Sequence, residues 1–397
     1  MTNTRRARRP PAAMAADAPS RTALAALLED GVASGRLVGA VGHVSRAKGP
    51  DITLCAGMAD AQSPMRPDTL FRIASMSKPI LAATALCLVA EGRIGLDDPV
   101  APWLPELAAP RVLRHPDGPL TDTRPSPRDI TLRDLLTLRF GQGAIMAPPG
   151  ACPMQAALAA AGLAPGPGPV TLSPEAWMAA LGALPLRHAP GEAWAYHTGF
   201  EVLAVLLARL AGAPLEEVLR RHVLDPLGME DTGFHVPPGK IDRLCLAWAP
   251  GPDGRLDLQD AARGGAHAAP PAFPCELVSC VRDFDRFARM LLDGGAGPRG
   301  RVLPEAAVAA MLTDQITPQQ KARSPFFPGF WEQGGWGFGI GVGRDGRLGW
   351  EGGYGTSFRI HPASGTVSIL LTQRMMTSPQ DVAAFDRFHD LALPPRA

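Results

Sequence analysis

Ser75 and Lys78 stand three residues apart in Phe71-Arg72-Ile73-Ala74-Ser75-Met76-Ser77-Lys78-Pro79-Ile80. The apolar run from Ile80 to Ala90 reads as a buried helix. On a helix, residues three apart share a face, so the hydroxyl and the amine point the same way. A serine hydroxyl is a weak nucleophile until a neighbour takes its proton. A lysine can take it when burial disfavours the ammonium form. The start of the helix adds free N–H groups suited to a developing oxyanion. A blander reading of the same residues has Ser75 as a helix cap and Lys78 as a solvated first-turn residue. Composition weighs against it. The basic residues are mostly arginine, and the lysines are Lys48, Lys78, Lys240 and Lys321 alone. Arginine stays protonated and cannot act as a base, so a lysine before an apolar run favours chemistry.

Two further segments can join them. The chain has two tyrosines, Tyr196 and Tyr354. Tyr196 lies in Pro190-Gly191-Glu192-Ala193-Trp194-Ala195-Tyr196-His197-Thr198-Gly199, a turn before an apolar helix. A phenol serves as a base only where cations stabilise its anion, and Lys78 could be that cation. The alternative is a packed tyrosine whose hydroxyl caps a carbonyl. The segment Gly349-Trp350-Glu351-Gly352-Gly353-Tyr354-Gly355-Thr356 lets a backbone approach another group closely. A strand passing the serine there could supply half of an oxyanion hole, the other half being the N–H of Ser75. A glycine-rich hairpin turn is the competing reading.

The elements around these residues follow from pattern. Residues 1–19, rich in Arg, Pro and Ala, read as a disordered tail. Ser20–Leu37 reads as an amphipathic helix with Leu24, Leu27, Leu28 and Val32 on one side. Strands are predicted over Val38–Ser45, Asp51–Ala56 and Thr69–Ile73. Helices dominate from 79 to about 240. Helices over Val281–Leu292 and Pro304–Leu312 precede strands over Gly337–Val342, Thr356–His361 and Thr366–Gln373, and Ser378–Leu391 closes the chain as a helix. Strands at both ends with helices between imply an α+β fold, one sheet built from both termini. Residues 20–78 and 268–397 would form the sheet subdomain and 79–267 a mostly helical insertion, with the active site between them.

Bulk properties narrow the partners. The 397 residues carry 39 basic and 38 acidic side chains, a balance that argues against nucleic acid. No apolar run is long enough for a membrane span. No apolar segment follows Arg5, Arg6, Arg8 and Arg9, so no secretory signal is read and a cytoplasmic location is expected. The six cysteines form no Cys-x-x-Cys pair and the nine histidines no His-Glu-x-x-His pattern. No metal and no cofactor are expected. Oligomeric state is left open, and a small acyl ester or amide as the partner is what the resemblance described next implies.

Taken in order, Ser-x-x-Lys, Tyr-x-Thr and Trp-x-Gly resemble the three active-site motifs of the serine β-lactamase and penicillin-binding-protein superfamily. The resemblance is nearest to its class C-like branch, which includes the family VIII carboxylesterases. It runs from about residue 20 to 390. Asp98-Pro99-Val100, the stretch Ile130 to Thr137 and the stretch Pro226 to Phe234 add to it. It implies a β-lactamase/transpeptidase-like fold and an acyl-enzyme on Ser75. Lys78 and Tyr196 would shuttle the proton, which of them is the acylation base being disputed in the family. Backbone N–H groups of Ser75 and Gly353 would hold the oxyanion. The implied pocket includes Trp350, Thr198, His197, Glu351 and Tyr354.

Departures from the family pattern bear on the substrate. Class C β-lactamases have lysine where this chain has Trp350, and an aromatic cannot pair with a carboxylate. An uncharged or apolar ester is therefore expected. Glu351 is read as a solvated turn residue rather than a pocket group. The stretch Phe273 to Cys280 lacks the glycines that relatives carry there. The resulting expectation is a serine hydrolase of carboxylic esters. An acyltransferase to an amine or alcohol, a weak β-lactamase and a silent binding protein are the alternatives. There is no Gly-x-Ser-x-Gly, which disfavours a Ser-His-Asp esterase.

Overall fold

The computed structural model describes residues 21–148, 150–377 and 381–394. The predicted N-terminal tail lies outside them. The elements that position the site are helices α1 (Arg21–Ala33), α2 (Ser77–Ala90), α3 (Leu132–Leu136), α4 (Thr198–Ala211), α5 (Val281–Leu292) and α6 (Val382–Ala392). The strands are β1 (Gly39–Arg46), β2 (Ile52–Gly57), β3 (Phe71–Ala74), β4 (Leu277–Ser279), β5 (Gly334–Trp336), β6 (Gly341–Gly343), β7 (Leu348–Gly352), β8 (Thr356–His361) and β9 (Thr366–Thr372).

Seven strands form one antiparallel sheet in the order β5-β6-β7-β8-β9-β1-β2. The first and last parts of the chain meet inside this sheet, where Val41 pairs with Leu371 and Val44 with Ser368. All seven residues of β9 are buried, as befits a strand covered on both faces. Alternation divides them: Ile369 and Leu371 join the large core, and Leu370 joins a smaller one under α1 and α6. That smaller core is closed by Leu24, Leu28, Phe385 and Phe388. His389 of α6 is buried between Ser357 and Ser368, with ring nitrogens 2.9 and 2.8 Å from their hydroxyls. Both nitrogens of a buried imidazole are thereby satisfied.

On the other face, α2 runs through the interior and is buried on nearly every side. Its small residues, Ala82, Ala83 and Ala85, allow close neighbours all round. Helix α4 packs on it, and α5 lays Phe284, Phe287 and Leu291 into the same core. A capping box between Thr131 and Asp134 starts α3.

Of the predicted strand Gly337–Val342 only Gly341 and Val342 are strand, in β6; residues 337–340 are the turn that joins it to β5, which ends at Trp336. Gly339 has φ +73°, and a Cβ there would lie 2.9 Å from the Lys78 carbonyl oxygen. The chain leaves the sheet at this point to press against α2. Two hairpins were not legible in the sequence: Arg111–Leu113 with Thr123–Pro125, and Ala247–Pro250 with Leu256–Asp260. No described helix is long and apolar enough to cross a membrane.

Buried ion pairs pin the strand that leads to Ser75 and the loops beneath it. Arg72 of β3 donates to Asp260 at 2.6 Å and to the carbonyls of Cys245 and Ala261. Asp231 is met by Lys240 at 2.7 Å, Arg243 at 2.6 Å and Arg282 at 3.1 Å. Burial pushes the pKa of each aspartate up, but the opposing bonds win. Arg243 and Lys240 hold Asp231 at about 2, and His267 and Arg72 hold Asp260 at about 2. A carboxyl whose folded pKa lies below its unfolded value stabilises the fold above the unfolded value of about 3.9, and that stabilisation is lost as pH falls toward 2. Each contributes on the order of 2 kcal/mol. Melting temperature is therefore expected to fall steeply between about pH 4 and pH 2, and Asp260→Asn to flatten that slope. A flat melting curve through this range in the wild type would contradict the assignment.

Candidate active site

Ser75 leaves β3 through an unusual backbone. Ala74 has φ +41°, in the left-handed region that non-glycine residues rarely occupy. The turn sets Ser75 at the mouth of α2. Ser75 does not cap the helix, whose N-cap is Met76 with no side-chain cap bond. Instead Lys78 Nζ donates to Ser75 Oγ at 2.7 Å. Lys78 is 5% exposed, so the reading of it as a solvated first-turn residue fails.

Tyr196 lies against the same Nζ. Lys78 Nζ sits 5.0 Å from the centre of the Tyr196 ring. The phenol oxygen caps no carbonyl; it accepts from Trp350 Nε1 at 2.6 Å. Trp350, half-buried on β7, is thus tied to Tyr196. Strand β7 reaches β3, the strand that leads to Ser75, because of Gly352: a Cβ there would lie 2.2 Å from the Ile73 carbonyl oxygen. Only glycine allows that approach. Thr356 Oγ1 also donates to the Ile73 carbonyl, at 3.3 Å. Gly353 follows directly, and its carbonyl accepts from the Met376 N–H.

The remaining expected pocket residues lie deeper. His197 has φ +86° and ψ −76°, a strained turn that buries its ring with Nε2 3.5 Å from Glu201. Thr198 begins α4, and its sealed hydroxyl has no hydrogen-bond partner among the described residues. Tyr354 packs with Ala74, Ala247 and Met375, and burial pushes its phenol up to about 12. Glu351 is not a solvated turn residue. It is a strand residue opposite Ser357, in an ion pair with Arg359 that leaves it 11% exposed. The short register of β7 and β8 carries this position into the sheet, which a glycine-rich stretch conceals.

Sequence reasoning missed an aromatic wall. Trp194 stacks on Tyr196 with centroids 5.7 Å apart and touches Phe326, Phe330, Trp331 and Trp336. Trp336 meets Trp350 edge-on at 4.6 Å. Ser324 anchors the wall: its hydroxyl accepts from the Trp194 N–H at 2.7 Å, and its carbonyl from Trp331 Nε1 at 2.6 Å. The signal was present, since Phe326, Phe327, Phe330, Trp331 and Trp336 crowd one short stretch of a chain otherwise poor in aromatics. A cavity of about 180 Å³ opens beside Trp194, lined in part by Ile145, Met146, His188 and Ala195.

An antiparallel sheet backed by helices, with a lysine-bound serine at the start of a buried helix, defines the β-lactamase/transpeptidase-like class. The Beta-lactamase family matches residues 24–392, and the chain belongs to that family. It is 37% identical to Protein Rv1367c of Mycobacterium tuberculosis over 82% of each chain. It is 31% identical to Esterase EstB of Burkholderia gladioli over 95% of this chain and 97% of the relative. Among solved structures, "EstCE1, a hydrolase with promiscuous acyltransferase activity" has the same fold. It superposes with a TM-score of 0.75 at 23% identity, over 94% of this chain and 97% of that one.

Proposed function

We propose that the protein is a serine hydrolase that cleaves carboxylic esters through an acyl-enzyme on Ser75. The observation that carries this reading is the 2.7 Å contact of buried Lys78 Nζ with Ser75 Oγ. Ser75 Oγ attacks the ester carbonyl while its proton passes to the Lys78–Tyr196 pair. Backbone N–H groups of Ser75 and Gly353 receive the oxyanion, and the alkoxide leaves with the proton. Water then attacks the acyl group and restores Ser75. The active site lies between the sheet and the helical part of the chain. The esterase named among its relatives supports the ester over the amide.

Trp350 favours an apolar substrate, because its indole N–H is already spent on Tyr196. The aromatic wall continues that apolar surface. This arrangement gives Trp350 a second duty, the orientation of the phenol. Trp350→Phe keeps the apolar face and loses the hydrogen bond, so kcat/KM for an apolar ester should fall about tenfold, the equivalent of one ordinary hydrogen bond. Steady-state kinetics would read this, and unchanged kinetics would mean that the bond is idle.

The experiment that tests the reading is mass spectrometry of the enzyme quenched during turnover of p-nitrophenyl butyrate. One butyryl group is expected on the peptide that carries Ser75. Turnover with the adduct on another residue would overturn the assignment. No turnover and no adduct would overturn ester hydrolysis itself.

A further inference from the structure

A loop from the helical part of the chain reaches across to Gly353. It spans residues 164–169, Ala-Pro-Gly-Pro-Gly-Pro, between the helices Pro153–Ala160 and Pro174–Gly182. Its roots are fixed. The first of these helices ends at Gly162, φ +69°, whose N–H donates to the Ala159 carbonyl, while the Leu163 N–H donates to that of Leu158. Leu163 is buried in the large core, and Val170 and Leu172 pack against that core on the far side of the loop. Between these roots, residues 164–169 form no hydrogen bond among the described residues. Three prolines keep the segment stiff without one, since each fixes its own φ and carries no N–H.

The tip of the loop rests on the sheet part. A Cβ on Gly353 would lie 2.7 Å from Pro167 Cβ and 3.2 Å from its Cγ. Gly166 and Gly168, on either side, face open space. The Pro167 ring therefore bridges the cleft at one point, and that point is the expected oxyanion donor. The Gly353 carbonyl is taken by the Met376 N–H, whereas neither the Gly353 N–H nor the Ser75 N–H has an acceptor among the described residues. Pro167 brings ring carbons to this place, so it walls the donor without competing for it.

The same geometry divides a bound ester into two ends. The departing alkoxide takes its proton from the Lys78–Tyr196 pair, so the alcohol part lies toward Tyr196 and the aromatic wall. Trp350, bonded to Tyr196, stands three residues before Gly353 on an extended run, a separation of about 10 Å. The acyl part is left with the Gly353 end. A carbonyl oxygen about 2.9 Å from the Gly353 nitrogen puts the acyl α-carbon on the order of 5 Å from it, in the zone that Pro167 bounds.

We propose that Pro167 is a specificity-determining residue, a wall against the acyl α-carbon that admits straight acyl chains and rejects those branched at that carbon. The inference rests on the reading of Ser75 as nucleophile and Gly353 as oxyanion donor. It adds no chemical step. It assigns the substrate class of the site as esters of acids unbranched next to the carboxyl.

The test compares kcat/KM for p-nitrophenyl butyrate and p-nitrophenyl isobutyrate, which share a leaving group and an acyl carbon count. Wild type, Pro167→Ala and Pro169→Ala are measured, with a thermal melt of each. Wild type should prefer the straight chain at least about tenfold, and Pro167→Ala should raise the isobutyrate-to-butyrate ratio about tenfold, the usual worth of one methyl group admitted to a pocket. Pro169→Ala loosens the exposed side of the same loop and should leave the ratio within about twofold of wild type. A second pair keeps the butyryl group and varies the alcohol, ethyl against benzyl, and its ratio should not move in Pro167→Ala. A wild type indifferent to branching would overturn the proposal. Equal shifts in the two variants would make the effect one of loop stiffness and overturn it too. A shift in the alcohol pair alone, or a changed rate or melting temperature with both ratios unmoved, has the same consequence. Wild type that turns over none of these esters and takes no acyl group on Ser75 would overturn the parent reading and this one with it. Turnover through Ser75 with an unmoved acyl ratio overturns only the role of Pro167.

Discussion

Ester turnover is expected to fall about 10⁴-fold or more when Ser75 is replaced by alanine. The substitution removes the atom that forms the covalent bond, and Lys78 cannot replace it without a different reaction. Whatever remains would come from the oxyanion donors and substrate binding, which act on water as a poor substitute. The fold should be spared. The hydrogen bond recorded for the Ser75 side chain is the one to Lys78, so stability should change by only about 1 kcal/mol. Comparing kcat on p-nitrophenyl butyrate with the thermal melt of the same sample separates chemistry from folding. Retention of more than about one part in a hundred of the activity, in folded protein, would exclude Ser75 as the nucleophile.

Asp231→Ala should be the most damaging single change among the surface-connected ion pairs, at about 3–5 kcal/mol. The carboxylate is almost fully buried and neutralises Lys240, Arg243 and Arg282 together. Its own N–H donates to Asp283 at 2.6 Å, so the turn that carries it is locked from two directions. Removing the anion leaves three cations facing one another around a cavity. By contrast the Asp30–Arg36 pair has both side chains more than half exposed, and Asp30→Ala should cost little, between 0 and about 1 kcal/mol. Urea unfolding of the two variants side by side reads the contrast. A loss below about 1 kcal/mol for Asp231→Ala would show that the cations find other partners.

The reacting centre was legible because its first part is local. A three-residue spacing across the turn that enters a buried helix suffices to bring Ser75 to Lys78, and the apolar run after Lys78 announces the burial. Tyr196 and Trp350 were nameable one by one, but their mutual bond was not. It joins the loop before α4 to the middle of β7, far apart in the chain. The pairing of β3 with β4 was hidden for the same reason, because strands of four and three residues are too short to show a pattern of alternation. Glu351 was misjudged because its flanking glycines imitate a turn, whereas they serve the close approach of β7 to β3. The sheet itself was readable from strands at both ends of the chain. The turn within Gly337–Val342 that separates β5 from β6 was not, because its close approach to the Lys78 carbonyl is set from outside the segment.

The pairing of β1 with β9 inside the sheet also has a price in time. During synthesis the β1–β2 hairpin emerges early, and its hydrogen-bonding partner is almost the last strand to appear. Until then one edge of the hairpin stands open, with Val41 and Val44 uncovered. Contacts of such long sequence separation close slowly, because the loop between them must be ordered first. The newborn chain should therefore depend on chaperone protection of its N-terminal hairpin, and ribosome-bound chains stopped before β9 should remain protease-sensitive there however well the helical middle has formed.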